Sequence, residues 1–303
     1  MNRMAGILSL SVLLWGCFAT EGDVLTPVGS RDSDHGFGDP ACTTLECPTA
    51  ALDSLVFCGH VVDLETSTFI TESPPVLQFH AEEDFVSDPD GAVALSVVEP
   101  DDCGRFATTI PSQPGETNIP SVVIHAGDPG AAPVGDEIYR RTFSVVTTKN
   151  GAPHFINAFA LRTSTDRLWG EETGQGGDGI GSKGPMVAIF VDTEADEAQA
   201  PFPGALVEGV TLTVDGMILE QQDFYFSDGD PMVRRTIGPK RSNSGATGTG
   251  ILIVPGLRPG AVCSGQHPDQ VVESSAMLVL EGLVQVQEIA TRPDEPSVPD
   301  ASM

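Results

Sequence analysis

Val210-Thr211-Leu212-Thr213-Val214-Asp215-Gly216 is the stretch that most directly decides the fold. Apolar and polar residues alternate along it with a period of two, which is the pattern of a β-strand with one buried face. We expect Val210, Leu212 and Val214 to point into a core and the threonines to point outward. Asp215-Gly216 is ordinary turn chemistry. The stretch therefore predicts a strand that ends in a tight turn.

Short apolar runs surround this strand over residues 185–290 and predict a β-sheet around it. The further predicted strands of this second module lie at 186–191, 224–226, 251–254, 277–280 and 284–286.

A second set of short runs precedes it over residues 55–169. The predicted strands of this first module lie at 55–62, 76–79, 92–98, 105–110, 122–124, 139–148 and 154–161. Turn signals such as Asp88-Pro89-Asp90-Gly91 and Asn150-Gly151 separate them. No window outside the N-terminus has the period of an amphipathic helix. The sequence predicts an all-β protein with two tandem β-sandwich domains.

Three segments have the composition of connections rather than cores. Residues 17–54 are polar and rich in glycine, which predicts a flexible tether, and residues 291–303 predict a disordered tail. Residues 170–184 predict a flexible glycine-rich linker. This linker matches GxGxxG at Gly174-Gly176-Gly179, but a dinucleotide site needs a preceding strand and a following helix, and a strand follows here.

The N-terminus has the layout of an export signal. Arg3 precedes an apolar run over residues 5–14, which is too short to span a bilayer. The ending Leu14-Trp15-Gly16-Cys17 resembles the lipobox of bacterial lipoproteins. That resemblance implies a signal peptide over residues 1–16, cleavage between Gly16 and Cys17, and acylation of Cys17. An ordinary signal peptide in which Cys17 is incidental is the alternative.

The charge of the chain excludes one class of partner. Aspartate and glutamate number 43 against 15 lysines and arginines, for a net charge of −28. Such a surface repels phosphate backbones, so nucleic acid is not an expected partner. We interpret the negative charge first as a means of keeping the protein solvated outside the cell. A calcium-binding surface is the alternative interpretation.

The remaining cysteines are Cys42, Cys47, Cys58, Cys103 and Cys263. Disulfides are expected in an oxidising compartment, and an odd number leaves one cysteine over. One possible pairing joins Cys42 to Cys47 and Cys58 to Cys103, and leaves Cys263 as the free thiol. Other pairings remain open. A dimer through Cys263 is a further alternative.

The second module resembles the carboxypeptidase-regulatory, transthyretin-like immunoglobulin sandwich. The matching residues are Val191-Asp192, the segment 208–216, and Thr247-Gly248-Thr249-Gly250-Ile251. Together with the lipobox and Asp223-Phe224-Tyr225-Phe226-Ser227-Asp228, the chain resembles uncharacterised bacterial lipoproteins of myxobacterial type. The resemblance implies a fold and an accessory or adhesive role.

Catalytic and metal-binding patterns are weak. Neither HExxH nor GxSxG occurs. His80-Ala81-Glu82-Glu83-Asp84 would place His80, Glu82 and Asp84 on one face of a strand, as a metal site, or would form a solvated acidic loop.

Calcium is the one cofactor with candidate ligands. Asp223, Asp228 and Asp230 are the weak candidates, beside Asp88 and Asp90; turn chemistry is the favoured interpretation of both groups.

These observations favour a non-enzymatic lipoprotein with a binding, adhesion or assembly role. Its expected place is the cell envelope, at the outer membrane, either periplasmic or exposed at the surface. The expected partners are the membrane, through the lipid anchor, and a protein or polysaccharide. The alternatives are a carbohydrate- or calcium-binding accessory module of a surface complex, and a hydrolase of unrecognised type.

Overall fold

The structure is a computed structural model that describes residues 42, 45–51, 53–71, 73–111, 121–127, 139–149, 151–192, 205–207, 210–218, 223–226, 237–238, 251–253 and 260–294. Every described residue belongs to one compact unit, Phe37–Met303. The predicted signal peptide, with Gly16 and Cys17, lies outside the described residues. No helix within the described ranges is long and apolar enough to cross a membrane.

Strands dominate the described residues. In chain order they are β1 (Ser54–Asp63), β2 (Leu77–Ala81), β3 (Ser96–Val98), β4 (Arg105–Pro111), β5 (Ser121–Ala126), β6 (Tyr139–Arg140), β7 (Thr142–Thr147), β8 (Pro153–Arg162), β9 (Met186–Asp192), β10 (Ala205–Leu206), β11 (Thr211–Val214), β12 (Met217–Ile218), β13 (Asp223–Phe226), β14 (Ile237–Gly238), β15 (Ile251–Ile253), β16 (Val262–Gln266), β17 (Gln270–Val272), β18 (Ser275–Ala276) and β19 (Val284–Pro293). Two helices, α1 (Glu82–Ser87) and α2 (Thr163–Glu172), and a 3-10 turn, Gly181–Lys183, interrupt them.

The strands form three sheets. One has the order β4-β1-β8-β6, and a second has the order β12-β11-β16-β18. The largest, with eleven strands, has the order β14-β13-β15-β9-β19-β7-β5-β2-β3, with β10 added on β9 and β17 on β19. The prediction of an all-β fold with sandwich-like sheets is confirmed.

The stretch around β11 folds as its alternation predicts. Val210, Leu212 and Val214 are buried in one apolar cluster, together with Cys263 and Met277. Asp215 and Gly216 both have positive φ, 50° and 76°, as a two-residue hairpin turn between β11 and β12 requires. On the face predicted to point outward, Thr213 is buried and Thr211 is half-buried.

The two predicted modules share a sheet and a core. β19 from the second module pairs in parallel with β7 from the first, through Val284↔Thr142 and Gln285↔Phe143. One apolar cluster contains residues of both modules: Val62, Leu64, Phe159, Leu161, Trp169, Val187, Ile189, Phe226, Val284 and Val286 among others. Residues of the two predicted modules therefore share one apolar cluster; the boundaries of the modules stay a prediction.

The end of the predicted linker, residues 179–181, is buried, whereas residues 176–178 are exposed. The first residues of the linker belong to α2, and Ile180 and Gly181 are buried. The glycine content predicts flexibility, but at position 179 glycine is needed for a close approach of the backbone to Asp166. Gly179 has a φ of 81°, and a Cβ there would lie 2.0 Å from Asp166 Oδ2.

Candidate functional site

A groove of about 490 Å³ opens where β7 and β19 separate. The parallel pairing between these strands ends at Gln285↔Phe143, although both strands continue, β7 to Thr147 and β19 to Pro293. Their later residues form two walls of the groove. The lining residues are Glu82, Ser121, Val145, Val146, Thr147, Ile156, Glu273, Ser274, Ser275, Ala276, Leu278, Gln287, Glu288, Ile289 and Ala290.

Gln287 lines the groove and bonds its side chain to β7. Its Oε1 accepts a hydrogen bond from the Val145 N–H at 3.3 Å, and its Nε2 donates to the Val145 carbonyl at 3.1 Å. The side-chain amide thus bonds the peptide groups of β7 at the point where the backbone of β19 has moved away. Here the Gln287 side chain takes the place of backbone hydrogen bonds between β7 and β19. Beyond Gln287 these two strands enclose open space.

Gln285, two residues earlier on the same face of β19, holds another wall in place. Its Oε1 accepts from the Leu278 N–H at 2.7 Å, and its Nε2 donates to the Ala276 carbonyl at 3.1 Å. The Glu273 N–H donates to the Ala290 carbonyl at 2.9 Å. These bonds fix the segment 273–278 against β19, so the groove is a built feature of the sheet.

Three carboxylates line the groove. Glu288 accepts a hydrogen bond from Asn157 Nδ2 at 3.1 Å, and Glu82 accepts one from the Ser121 hydroxyl. Glu82 and Glu288 are half-buried, and Glu273 is exposed. None of the described residues that line the groove is a lysine or an arginine. The described lining of the groove is therefore acidic.

The rest of the lining is apolar or carries hydroxyl groups. Val146, Ile156, Leu278 and Ile289 supply aliphatic surface, and no aromatic ring is among the described lining residues.

The predicted metal face of His80, Glu82 and Asp84 is wrong. His80 ends up buried on β2, whereas Glu82 and Asp84 belong to the first turn of α1. The change from strand to helix at Ala81 breaks the alternation on which that site depended. Within the described residues no group of three or more His, Cys, Asp or Glu is arranged to hold a metal ion.

His80 instead joins a buried cluster with His125 and two phenylalanine rings. Ring centroids lie 5.1 Å apart for His80 and Phe85, and 5.6 Å apart for Phe85 and His125. Arg141 Nε donates to His125 Nε2 at 3.2 Å. Burial, with Arg141 second, lowers the pKa of His125 to about 3, and burial lowers the pKa of His80 too. Burial therefore favours the neutral form of both imidazoles.

The four expected disulfide cysteines form two bonds, but the pairing differs from the one suggested by sequence proximity. Cys42 bonds to Cys103 and Cys47 bonds to Cys58. The register of β1 explains this, because His60 opposes Arg105 on β4 and its Nε2 contacts the Cys42 carbonyl at 3.0 Å. Cys42 and the turn that carries Cys103 therefore meet at this end of β1, and the predicted tether is fastened from residue 42 onward.

Cys263 is the free cysteine in the structure, and it is buried. It lies on β16 in the apolar cluster that contains Leu212 and Met277. Burial, with the charge of Asp215, raises the pKa of the Cys263 thiol to about 11. A thiol in this position does not reach another chain.

The calcium candidates are only partly covered by the structure. Asp228 and Asp230 lie outside the described residues; Asp223 begins β13, without a described side chain. Calcium binding there stays a prediction. Asp88 and Asp90 do form a turn: the Gly91 N–H donates to Asp88 Oδ1 at 3.0 Å, and Asp90 Oδ1 lies 2.7 Å from Arg141 Nη1.

Sequence reasoning missed the groove. Glu273 and Glu288 reach β7 and β8 only through the parallel pairing of β19 with β7, which joins residues more than a hundred positions apart. One signal was available: Val284-Gln285-Val286-Gln287 alternates two valines with two glutamines. When one face of a buried strand carries glutamines, their side-chain amides need hydrogen-bond partners, and nearby backbone groups without a strand neighbour can supply them.

No family model and no curated protein matches the chain. Among solved structures, the shaft pilin SpaA from Lactobacillus rhamnosus GG is similar with 11% identity and a TM-score of 0.24, over 81% of this chain and 99% of that one. GBS52, the minor pilin of Streptococcus agalactiae, is similar with 12% identity and a TM-score of 0.22, over 81% of this chain and 98% of that one. A streptococcal ancillary pilin is similar with 10% identity and a TM-score of 0.23, over 80% of this chain and 63% of that one.

Proposed function

We propose that the protein is an exported, lipid-anchored component of the cell envelope with a non-catalytic binding or assembly role. The observation that carries this proposal is the pair of disulfides, Cys42–Cys103 and Cys47–Cys58, at the start of the folded body. Structural disulfides persist in oxidising compartments outside the cytoplasm. They agree with the export signal and with the lipobox cysteine, Cys17.

The groove supports binding rather than hydrolysis. Ser121, Ser274 and Ser275 line it, the Ser121 hydroxyl donates to Glu82, and no histidine is among the described lining residues. His80 and His125 are buried in another cluster, with lowered pKa values. A walled, anionic groove with aliphatic surface fits a site that holds a partner.

Acylation of Cys17 gives a direct test. Cells that express the full chain are grown with an alkyne analogue of palmitate, and the envelope is separated from the soluble fractions. We expect the label and the protein in the membrane fraction, because several acyl chains on one residue bind a bilayer firmly. The matched control is Cys17→Ser, which should be unlabelled and released from the membrane.

Two results would count against the proposal. Unlabelled wild-type protein in the cytosol, with its first residues intact, would remove both export and anchoring. Equal membrane association of the wild type and Cys17→Ser would remove the lipid anchor.

A further inference from the structure

We infer that residues 82–92, which form α1 and the turn after it, are a lid that opens from the sheet in mild acid while the rest of the protein stays folded. The trigger is the contact between His125 and Arg141 beneath this lid. The inference goes beyond the proposed function, because it depends neither on the lipid anchor nor on a partner.

The lid is attached to the sheet by side chains at its start, middle and end. At its start, Glu82 accepts a hydrogen bond from the Ser121 hydroxyl. In the middle, Phe85 is fully buried. At the end, Asp90 Oδ1 pairs with Arg141 Nη1 at 2.7 Å. The helix has six residues and no side-chain cap at its N-terminus, so these contacts, and not its intrinsic stability, keep it in place.

The middle attachment packs on two imidazole rings. The Phe85 ring centroid lies 5.1 Å from that of His80 and 5.6 Å from that of His125. Both histidines are buried, with 2% and 0% of their surface exposed. Phe85 covers them on the side of the lid, so water reaches them from that side when the lid moves away.

The hydrogen bond from Arg141 fixes the proton on His125. Arg141 Nε donates to His125 Nε2 at 3.2 Å, so Nε2 carries no proton and the neutral ring has its proton on Nδ1. A second proton would have to bind Nε2, where it would face the Arg141 N–H. This would replace a hydrogen bond with two opposed donors and would place two positive charges side by side. The closed lid therefore disfavours the imidazolium form.

Two buried nitrogen atoms beneath the lid also favour opening. His125 Nδ1 and Arg141 Nη2 have no protein hydrogen-bond partner within the described part of the chain. A buried donor without an acceptor costs free energy, and contact with water removes that cost. Opening therefore provides hydrogen bonds for both atoms in addition to a site for the proton on His125.

The other charged groups around His125 do not reverse this preference. His80 and Arg141 disfavour a positive charge on His125, whereas Asp90 favours it but has a side chain that is 76% exposed. The neighbouring segments also carry exposed acidic residues, namely Glu83, Asp84, Asp88 and Glu281. Solvent screens exposed charges, so burial and Arg141 decide the protonation of His125.

The direction of the pH dependence follows. Burial, with Arg141 second, lowers the pKa of His125 from 6.5 to about 3 while the lid is closed. The open lid restores the ordinary pKa, so the closed state is fully favoured above about pH 6.5 and is progressively lost below it. The movement reaches the candidate site, because Glu82 belongs to the lid and lines the groove.

Native-state hydrogen exchange of the full Cys17→Ser chain tests the lid. The probes are the amides of Asp88 and Ala92, which donate to the carbonyls of Asp84 and Asp88, with the amides of β9 as the reference. Protection factors, which correct for the effect of pH on intrinsic exchange, should fall about 10- to 25-fold at the lid between about pH 7 and about pH 5. Low urea should hardly affect exchange at the lid, because a local opening exposes little surface, but should accelerate exchange in β9.

Matched variants separate the trigger from general effects of acid. His125→Gln keeps an acceptor for Arg141 Nε but does not titrate, so the fall in lid protection should be at least about fivefold smaller. His154→Gln removes a histidine of β8 that lies outside the lid, and should respond to pH like the wild type. Asp90→Asn weakens the end attachment at an exposed position, and should lower lid protection about two- to fivefold at both pH values without changing β9.

Four outcomes would overturn the inference. Equal protection and equal urea dependence of the lid and β9 would mean that the lid opens only when the whole protein unfolds. Unchanged lid protection between the two pH values would remove the trigger. An equal response of His125→Gln and the wild type would assign the response to another group. Lid protection that Asp90→Asn leaves unchanged would remove the end attachment, and this variant keeps the test available should His125→Gln fail to fold.

Discussion

The guanidinium of Arg140 and the carboxylate of Asp166 form a buried ion pair, in which Nη2 and Nε lie 2.6 Å and 2.7 Å from Oδ2. The other carboxylate oxygen accepts the Gly181 N–H at 2.9 Å, and Arg140 Nη2 donates to the Asp178 carbonyl at 2.9 Å. The pair therefore connects β6, α2 and the glycine-rich segment. Burial raises the pKa of Asp166, and the charge of Arg140 opposes this effect.

Loss of this ion pair should destabilise the fold. Asp166 is fully buried, so Asp166→Asn leaves the Arg140 charge mostly buried without its partner. Removal of one member of a buried pair typically lowers the free energy of unfolding by about 3 kcal/mol or more. Urea unfolding followed by tryptophan fluorescence measures this change, because Trp169 lies on α2 and is buried.

Asp90→Asn is the matched control. Asp90 pairs with Arg141, but its side chain is 76% exposed. Solvent screens such a pair, so the expected loss is below about 1 kcal/mol. Similar losses for Asp166→Asn and Asp90→Asn would contradict the role assigned to the buried pair.

The glycine-rich segment shows where sequence reasoning reaches its limit. A run of glycines over 174–184 is typical of a flexible linker, and composition alone favours that interpretation. The buried end of this segment contacts Asp166, whose carboxylate accepts the Gly181 N–H, and nothing in the sequence marks Asp166 as buried. The path also needs glycine at 179 because a side chain there would meet the Asp166 carboxylate. The contacts with Asp166 thus belong to the buried residues 179–181 of an apparent spacer.

The strands themselves were predictable, but their neighbours were not. Alternation placed β11 and its turn at Asp215-Gly216, since this pattern depends only on local geometry. Pairing of β19 with β7 depends on the whole sheet and has no local signal. The groove is a consequence of that pairing, so its residues could not be brought together from sequence alone.

The stability of the protein should fall as the pH drops below about 6.5, in part because of His125. Its pKa is lowered to about 3 in the folded state, so between about pH 6.5 and about pH 3 the unfolded chain binds a proton that the folded chain does not. This contribution is complete above about pH 6.5. It decreases by at most about 1.4 kcal/mol per pH unit below that value. Urea unfolding at about pH 7 and about pH 5 measures it.

His125→Gln removes the titrating group while keeping a hydrogen-bond acceptor for Arg141 Nε. We expect the variant to lose up to about 2 kcal/mol less than the wild type between about pH 7 and about pH 5. Asp90, Arg141 and His80 face His125 and are unchanged in both proteins. The two proteins should respond equally between about pH 7 and about pH 8, where histidine is neutral in both states. Parallel losses below about pH 6.5 would show that His125 titrates normally.

Cys263 should be unreactive in the native protein. It is buried on β16 opposite Val214, and its thiol has a pKa of about 11, so the reactive thiolate is scarce at neutral pH. In the Cys17→Ser chain, a thiol reagent such as DTNB should titrate no group until the protein is unfolded, and then one. Non-reducing gels should show a monomer. Rapid labelling of the native protein, or a dimer that reductant removes, would contradict this placement.

Removal of the Cys42–Cys103 disulfide should destabilise the protein more than removal of Cys47–Cys58. The bonds join residues 61 and 11 positions apart, and a longer closed loop restricts the unfolded chain more. The chain-entropy estimate is about 4 kcal/mol for the long loop and about 3 kcal/mol for the short one. Urea unfolding of the Cys42→Ser/Cys103→Ser and Cys47→Ser/Cys58→Ser pairs measures the two losses.

Peptide mapping without reduction checks the pairing itself, and a fragment that links Cys42 to Cys47 would contradict it. The reverse order of stabilities, with the mapped pairing intact, would show that the Cys42 end of β1 is held chiefly by other contacts, such as that of the Cys42 carbonyl with His60.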